Sequence, residues 1–210
     1  MYTITATSLK GGSGKTNFCA AASVAFERLG LGPVALIDTD PQGSLSAWWN
    51  ARASSTPQFA AVDIRQLQTH LHLLDHEGIH LTIIDTPPAI STVIHATIAV
   101  SDLVIVPVRP SPSDLRAVGA IVNVIEAAGK DFIFVINAAT PRTKIAIDAL
   151  KVLAENGKVS PAILHNRIDF AVSMIDGRTV GELDNNSKSA QEIIQLAKYI
   201  YKQLTRKVGA

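Results

Sequence analysis

Two rhythms of apolar residues alternate along this chain. Runs that are apolar at nearly every position occur at residues 34–38, 81–85, 103–108 and 132–137, after a shorter β-rich run at 3–7. Between them, apolar residues recur at helical spacing. Phe18, Ala21, Ala22, Ala25 and Leu29 do so over residues 15–29, and Leu67, Leu71 and Leu74 mark a later turn-by-turn repeat. Gly30 and Gly32 stop the first of these helices. Further helices are predicted over 113–128, about 143–156 and 170–175. A final helix is traced by Ala190, Ile193, Ile194, Ala197, Ile200, Tyr201 and Leu204 on one face. Residues 161–164 read as a last strand. Strands that are apolar throughout need cover on both faces, so their alternation with helices predicts a doubly wound α/β layer around a parallel sheet. We expect one domain over residues 1–210, with its ligand at the carboxyl ends of the strands.

Composition narrows this picture. Of 210 residues, 47% are apolar and 18% charged, which marks a globular chain. The formal net charge of +1 supplies no global basic field, so any nucleic-acid binding must come from a local patch. Cys19 is the single cysteine, which rules out an intramolecular disulfide and a four-cysteine metal site. No run approaches the roughly 18 apolar residues of a membrane span. The first residues lack the basic and apolar regions of a signal peptide, so a cytoplasmic protein is expected.

The chemistry is concentrated at the ends of the predicted strands. Lys10-Gly11-Gly12-Ser13-Gly14-Lys15-Thr16 joins the first strand to the first helix. Its glycines let consecutive N–H groups face inward, and the helix start adds a positive dipole end. Such a nest suits a triphosphate, with Lys15 reaching the β- and γ-phosphates and the Thr16 hydroxyl on Mg²⁺. The plainer reading, a glycine turn with a solvated lysine, has little room once strand, turn and helix are all in place. Asp38 and Asp40 end the second strand run. Residues two apart share a face there, so both acids can point at the phosphates, one serving Mg²⁺ through water and the other orienting the attacking water. Asp85 tips the apolar run 81–84. A buried acid there is costly unless paired or bound to metal; the alternative is a helix cap, for which Thr86 or Ser91 serves equally well.

Lys10, five residues before Lys15 and followed by Gly-Gly-Ser-Gly-Lys-Thr, resembles the deviant phosphate loop of the ParA/MinD ATPases. Asp38-Thr39-Asp40-Pro41-Gln42 is similar to that family's first switch, and Asp85-Thr86-Pro87-Pro88 to its Walker B acid and second switch. The resemblance runs from end to end and extends to residues 175–182, which are most similar to the small ParF-like partition ATPases. It implies that Lys10 crosses a dimer interface to the partner's ATP, as an arginine finger does. It also implies that Asp38 or Asp40 is needed for hydrolysis, and that Gly11, Gly12, Ser13, Gly14, Lys15, Thr16 and Asn17 hold nucleotide. Asn17 departs from the second threonine common in relatives. Asn137, at the end of a strand, takes the place of an adenine-reading asparagine; a helix cap is equally compatible with the sequence alone. Pro107 opens a segment similar to the family's proline-rich stretch beside the nucleotide.

The function implied is a Mg²⁺- and ATP-dependent homodimer that binds nucleoid DNA without sequence preference. A small ParB-like or adaptor protein on a plasmid, chromosome region or other large cargo would trigger hydrolysis. Lys144, Lys151, Arg167, Arg178, Lys198, Lys202 and Lys207 are among the basic residues available for DNA, although such charge is as often a solvated face. A MinD-like membrane ATPase would need a basic amphipathic terminal helix, and residues 205–210 hold little apolar area for one. A metabolic P-loop enzyme would need a second substrate site, and an iron–sulfur carrier a cysteine pair; the sequence offers neither.

Overall fold

A computed structural model describes residues 1–206. Its centre is one six-stranded sheet in the order β3-β2-β4-β1-β5-β6, with every pairing parallel. The strands are β1 (Tyr2–Ala6), β2 (Val34–Asp38), β3 (Gln58–Phe59), β4 (Leu81–Asp85), β5 (Leu103–Val108) and β6 (Phe132–Ile136). The helices are α1 (Lys15–Arg28), α2 (Ser44–Asn50), α3 (Leu67–His76), α4 (Thr92–Ala99), α5 (Pro112–Ala127), α6 (Lys144–Asn156), α7 (Ile168–Ser173), α8 (Val180–Leu183) and α9 (Lys188–Thr205). The four longer apolar runs, the shorter first one and every helix predicted from periodicity are present, with ends displaced by a few residues.

The strands are apolar on both sides because both sides are covered. In β2, Val34 and Leu36 face a core built with α1, α2 and α9, while Ala35 and Ile37 face α3. On that second side, Ile94 and Ile98 of α4 and Val118, Ile121 and Ile125 of α5 cover β5 and β6. Helix α1 is buried from Phe18 to Phe26, since α9 lies over its outer surface. Gly30 ends the helix in the left-handed region at φ 70°, where a residue with a Cβ is strained. Carbonyls of Phe26 and Glu27 accept from Leu31 and Gly30 there, which satisfies the open helix end.

Residues 161–164 do not form the expected strand. Segment 158–166 runs along the outer edge of β6, with bonds from Ser160 N–H to Phe134 O and from Leu164 N–H to Ile136 O. Pro161 lacks an N–H, and only isolated bridges form, Phe134 with Val159 and Ala139 with His165. The helix expected over 170–175 lies at Ile168–Ser173. Helices α2, α4 and α8 and the two-residue β3 were not anticipated. Among the described residues no helix is long and apolar enough to cross a membrane. The reading of the terminal segment concerns chiefly residues 207–210, including Lys207, which lie outside the described residues.

Candidate functional site

Parallel register brings the chemistry to one edge. Ala6 pairs with Asp85, and Asp85 pairs with Asp38, so β1, β4 and β2 end side by side. The glycine loop leaves β1 at that edge and enters α1 through Gly14, whose φ of 91° only glycine tolerates easily. Lys15 is 7% exposed, which removes the solvated-lysine reading. Burial lowers its pKa, and the carboxylates of Asp85 and Asp40 act against that shift.

Asp85 is buried at the tip of β4, as its apolar strand required. Its Oδ2 accepts from the Thr16 hydroxyl at 2.6 Å and its Oδ1 from the Thr86 N–H at 3.0 Å. Burial pushes its pKa up to about 7 against the Thr16 bond, and the nearby Asp38 carboxylate adds to the rise while Lys15 opposes it. A nearby dication would reverse this balance. The cap reading fails for Asp85, because Ser91 caps α4. Asp38 accepts from Asp40 N–H through Oδ1 at 3.0 Å. Its Oδ2 accepts from the N–H and hydroxyl of Ser46 at 2.9 and 3.0 Å. Asp38 therefore secures the first turn of α2 from outside the helix. Asp40 is half-buried and accepts from Gln42 N–H at 3.0 Å.

The fit to a phosphate and a cation can be tested on this arrangement. The Ser13 hydroxyl is buried in the loop with no partner among the described residues, a vacant donor where a phosphate oxygen would lie. Among those residues, no three His, Cys, Asp or Glu side chains converge on a cation. A cation here would be held as Mg²⁺ commonly is, by a hydroxyl, water and substrate phosphates, with Thr16 as the direct protein ligand and Asp85 and Asp38 reached through water. The residues present fit that role.

Beside the loop lies a cleft of about 180 Å³, lined by Gly12, Gly14, Asn17, Phe18, Asn137 and Ala138, with residues 164–167, Phe170 and Ala171 opposite. Asn137 donates from its amide to the Ser13 carbonyl at 2.6 Å, so it braces the glycine loop. It caps no helix, since α6 begins after Thr143. Pro107 is buried within β5, opposite Val135, and is not among the cleft-lining residues. Its missing N–H costs no ladder bond: Val104 donates to Asp131 toward β6, so the alternate residues face β1, which has ended at Ala6. Lys10 is exposed at the loop's outer surface, where its N–H donates to the Ser8 hydroxyl at 3.4 Å. Lys144, Lys151, Lys198 and Lys202 are exposed, whereas Arg167 is tied to Glu192 and Arg178 to Asp176.

Sequence reasoning missed two contributors. Ser46 is one; eight residues from Asp38, it carries no motif. The other is the pair of Arg109 and Asp114, where Arg109 Nε lies 3.1 Å from Asp114 beside the loop. The proline-rich stretch that carries them was expected beside the nucleotide by resemblance, but neither residue was singled out within it.

Comparison with known proteins agrees with this geometry. The sequence profile of the CobQ/CobB/MinD/ParA nucleotide binding domain matches residues 4–206. Maintenance of carboxysome distribution protein A from Gloeobacter kilaueensis is 34% identical over 158 residues, 70% of this chain and 68% of that one. The protein of the same name from Halothiobacillus neapolitanus is 25% identical over 202 residues, 92% of this chain and 93% of its own. Among solved structures, the septum site-determining protein MinD of Pyrococcus horikoshii, complexed with Mg-ADP, superposes with a TM-score of 0.78. That match has 20% identity and covers 95% of both chains. This chain belongs to the CobQ/CobB/MinD/ParA nucleotide-binding family, in its ParA/MinD branch of deviant P-loop ATPases.

Proposed function

We propose that this protein is an ATP-driven positioning switch: ATP and Mg²⁺ close a homodimer, the dimer holds DNA without sequence preference, and a partner on a large cargo triggers hydrolysis. The observation that carries the reading is the convergence of buried Lys15, the Thr16–Asp85 bond and Asp38 at one sheet edge, beneath a loop headed by Lys10. In this reading Lys15 holds the β- and γ-phosphates and the loop N–H groups cradle them. Asn137 braces the loop by donating to Ser13 and leaves its Oδ1 to accept from the adenine amino group. Thr16 would hold Mg²⁺, with Asp85 beside it, and the ion would supply charge neutralisation for the bound phosphates. Asp38, with Asp40 beside it, orients the water that attacks. Lys10 stands free at the outer face, where a second copy would place its own phosphates.

Basic residues exposed on each protomer are doubled by dimer closure, so phosphate contacts with DNA rise together. ATP would then switch DNA binding without touching DNA. Both relatives described above are named for carboxysome distribution, which favours an organelle of that kind over a plasmid or chromosome as the cargo. Two unrelated DNA duplexes, each titrated with protein in ATP or ADP at increasing salt, test the switch. Binding should need ATP, fall with salt and ignore sequence. Equal binding with ADP, or strong preference for one duplex, contradicts it.

A further inference from the structure

Arg109, just beyond β5, is held in a posture that its bond to Asp114 does not explain by itself. Nε and Nη2 spend one edge of the guanidinium on the two Asp114 oxygens, at 3.1 and 3.3 Å. Asp114 is buried in the first turn of α5, and the hydroxyls of Ser111 and Ser113 also donate to its Oδ2. Burial acts to raise its pKa, yet these bonds outweigh burial and hold the carboxyl below its usual range, so it stays charged. The remaining nitrogen, Nη1, has no partner among the described residues. It lies against the phosphate loop, 3.5 Å from where a Cβ on Gly12 would be. The Arg109 side chain is 39% exposed, so the braced guanidinium is partly open to solvent beside the loop.

We infer that Arg109 contacts the terminal phosphate of bound ATP, and that Asp114 is the positioning residue that aims its free N–H edge at the loop. A guanidinium braced on one edge loses little further freedom when the other edge binds an anion. Position argues for the terminal group. Ser13, Lys15 and Thr16 form the loop's inner wall, whereas Gly12 is exposed at its rim. ADP leaves that rim without its anion. The phosphate is either the subunit's own or that of a second copy docked face to face; the chemistry is the same.

This inference rests on the nucleotide reading above, and its test separates the two. Affinities for ATPγS and ADP are measured on the full chain, its Arg109→Gln variant and its Lys15→Ala variant. Arg109→Gln should weaken ATPγS binding about tenfold while ADP changes by less than about twofold, the size of one charge-assisted bond. Unchanged ATPγS affinity, or equal loss of both nucleotides, overturns the assignment. If Lys15→Ala also binds both nucleotides normally, the nucleotide reading itself falls. A melting curve checks the fold. Should Arg109→Gln be unstable, Arg109→Lys can still pair with Asp114 but lacks the second edge, and it should show the same selective loss. The source of the phosphate is read from mixed dimers. Arg109→Gln is combined with Lys15→Ala, so nucleotide sits only in the Arg109→Gln subunit, opposite an intact Arg109. Recovered turnover assigns the contact to the partner's phosphate, and unrecovered turnover to the subunit's own.

Discussion

Gly14→Ala should damage nucleotide binding by two separable routes, and Asn137 reveals one of them. A Cβ on Gly14 would lie 2.0 Å from Asn137 Nδ2 and 3.2 Å from its Cγ, far inside contact distance. The backbone there has φ 91°, a conformation that costs a residue with a Cβ on the order of 1–3 kcal/mol. The clash is relieved only if the Asn137 amide swings away. That breaks its 2.6 Å bond to Ser13 O and leaves this carbonyl unpaired, at about 1–2 kcal/mol. Together these terms come to about 2–5 kcal/mol, or roughly 30-fold to several-thousandfold in affinity. An unliganded loop can relax, so most of the loss should appear in binding and little in melting temperature. Titration with a fluorescent ATP analogue measures it, with Asn137→Ala and the double variant completing a cycle. Asn137→Ala alone should cost about tenfold. The double variant should bind no worse than Gly14→Ala, because the second change removes an amide already displaced. Strict additivity would refute the steric argument, as would near-normal binding by Gly14→Ala.

Other substitutions probe neighbouring parts of the same argument. Lys15→Ala removes the buried ammonium of the loop and should abolish tight ATP binding; unchanged equilibrium affinity would end the phosphate-loop reading. Asp38→Ala should keep ATP binding but stop turnover, giving a long-lived ATP dimer on size-exclusion chromatography, and normal hydrolysis would move the water-orienting role to Asp40 or elsewhere. Glu182→Ala leaves the Arg52 guanidinium, 3% exposed, without its carboxylate partner, and should lower unfolding free energy in urea by about 2–4 kcal/mol. At Glu192, burial tends to raise the pKa, but bonds from Arg167 and His165 prevail and depress it. Its stabilisation is therefore present above the usual Glu range and lost as pH falls through the depressed value, so Glu192→Gln should flatten the acid side of the stability curve.

The sheet was legible because its strands are buried on both faces. Five residues in β4 are all buried, and a run such as Leu-Thr-Ile-Ile-Asp has no other place in a globular chain. The long helices were legible for the complementary reason, since α3 buries Leu67, Leu71 and Leu74, and α9 buries residues at the same spacing. What escaped was short. Helix α2 buries only Leu45 and Trp48, too few positions to establish a period. Helix α8 has four residues and is specified by a capping box between Thr179 and Glu182 rather than by an apolar stripe. Residues 161–164 misled because their apolar composition suits a strand, while Pro161 interrupts the ladder that would make them one.

The site divides along the same line between local and long-range information. Lys10 through Thr16 form one contiguous loop, and Asp38 and Asp85 each end an apolar run, so their places followed from the sequence once the strands were identified. Their state did not. That Thr16 donates to Asp85 across 69 residues depends on β1 and β4 being neighbours, an order that no local pattern encodes. Asp38 shows the consequence most clearly. Read locally, it is a free acid awaiting water. In the fold, Oδ2 is occupied by both donors of Ser46, and Oδ1 by the N–H of Asp40. Helix α2 in turn is fastened to the C-terminal segment by the Trp48 indole, which donates to Arg178 O, and by Arg52, which bonds Gly177 O and Glu182. The acid read from sequence as a catalytic group is thus also the anchor of a helix. Any step that draws Asp38 toward a phosphate-bound cation or water must exchange its Ser46 bonds, which frees the first turn of the helix whose other end holds residues 177–182.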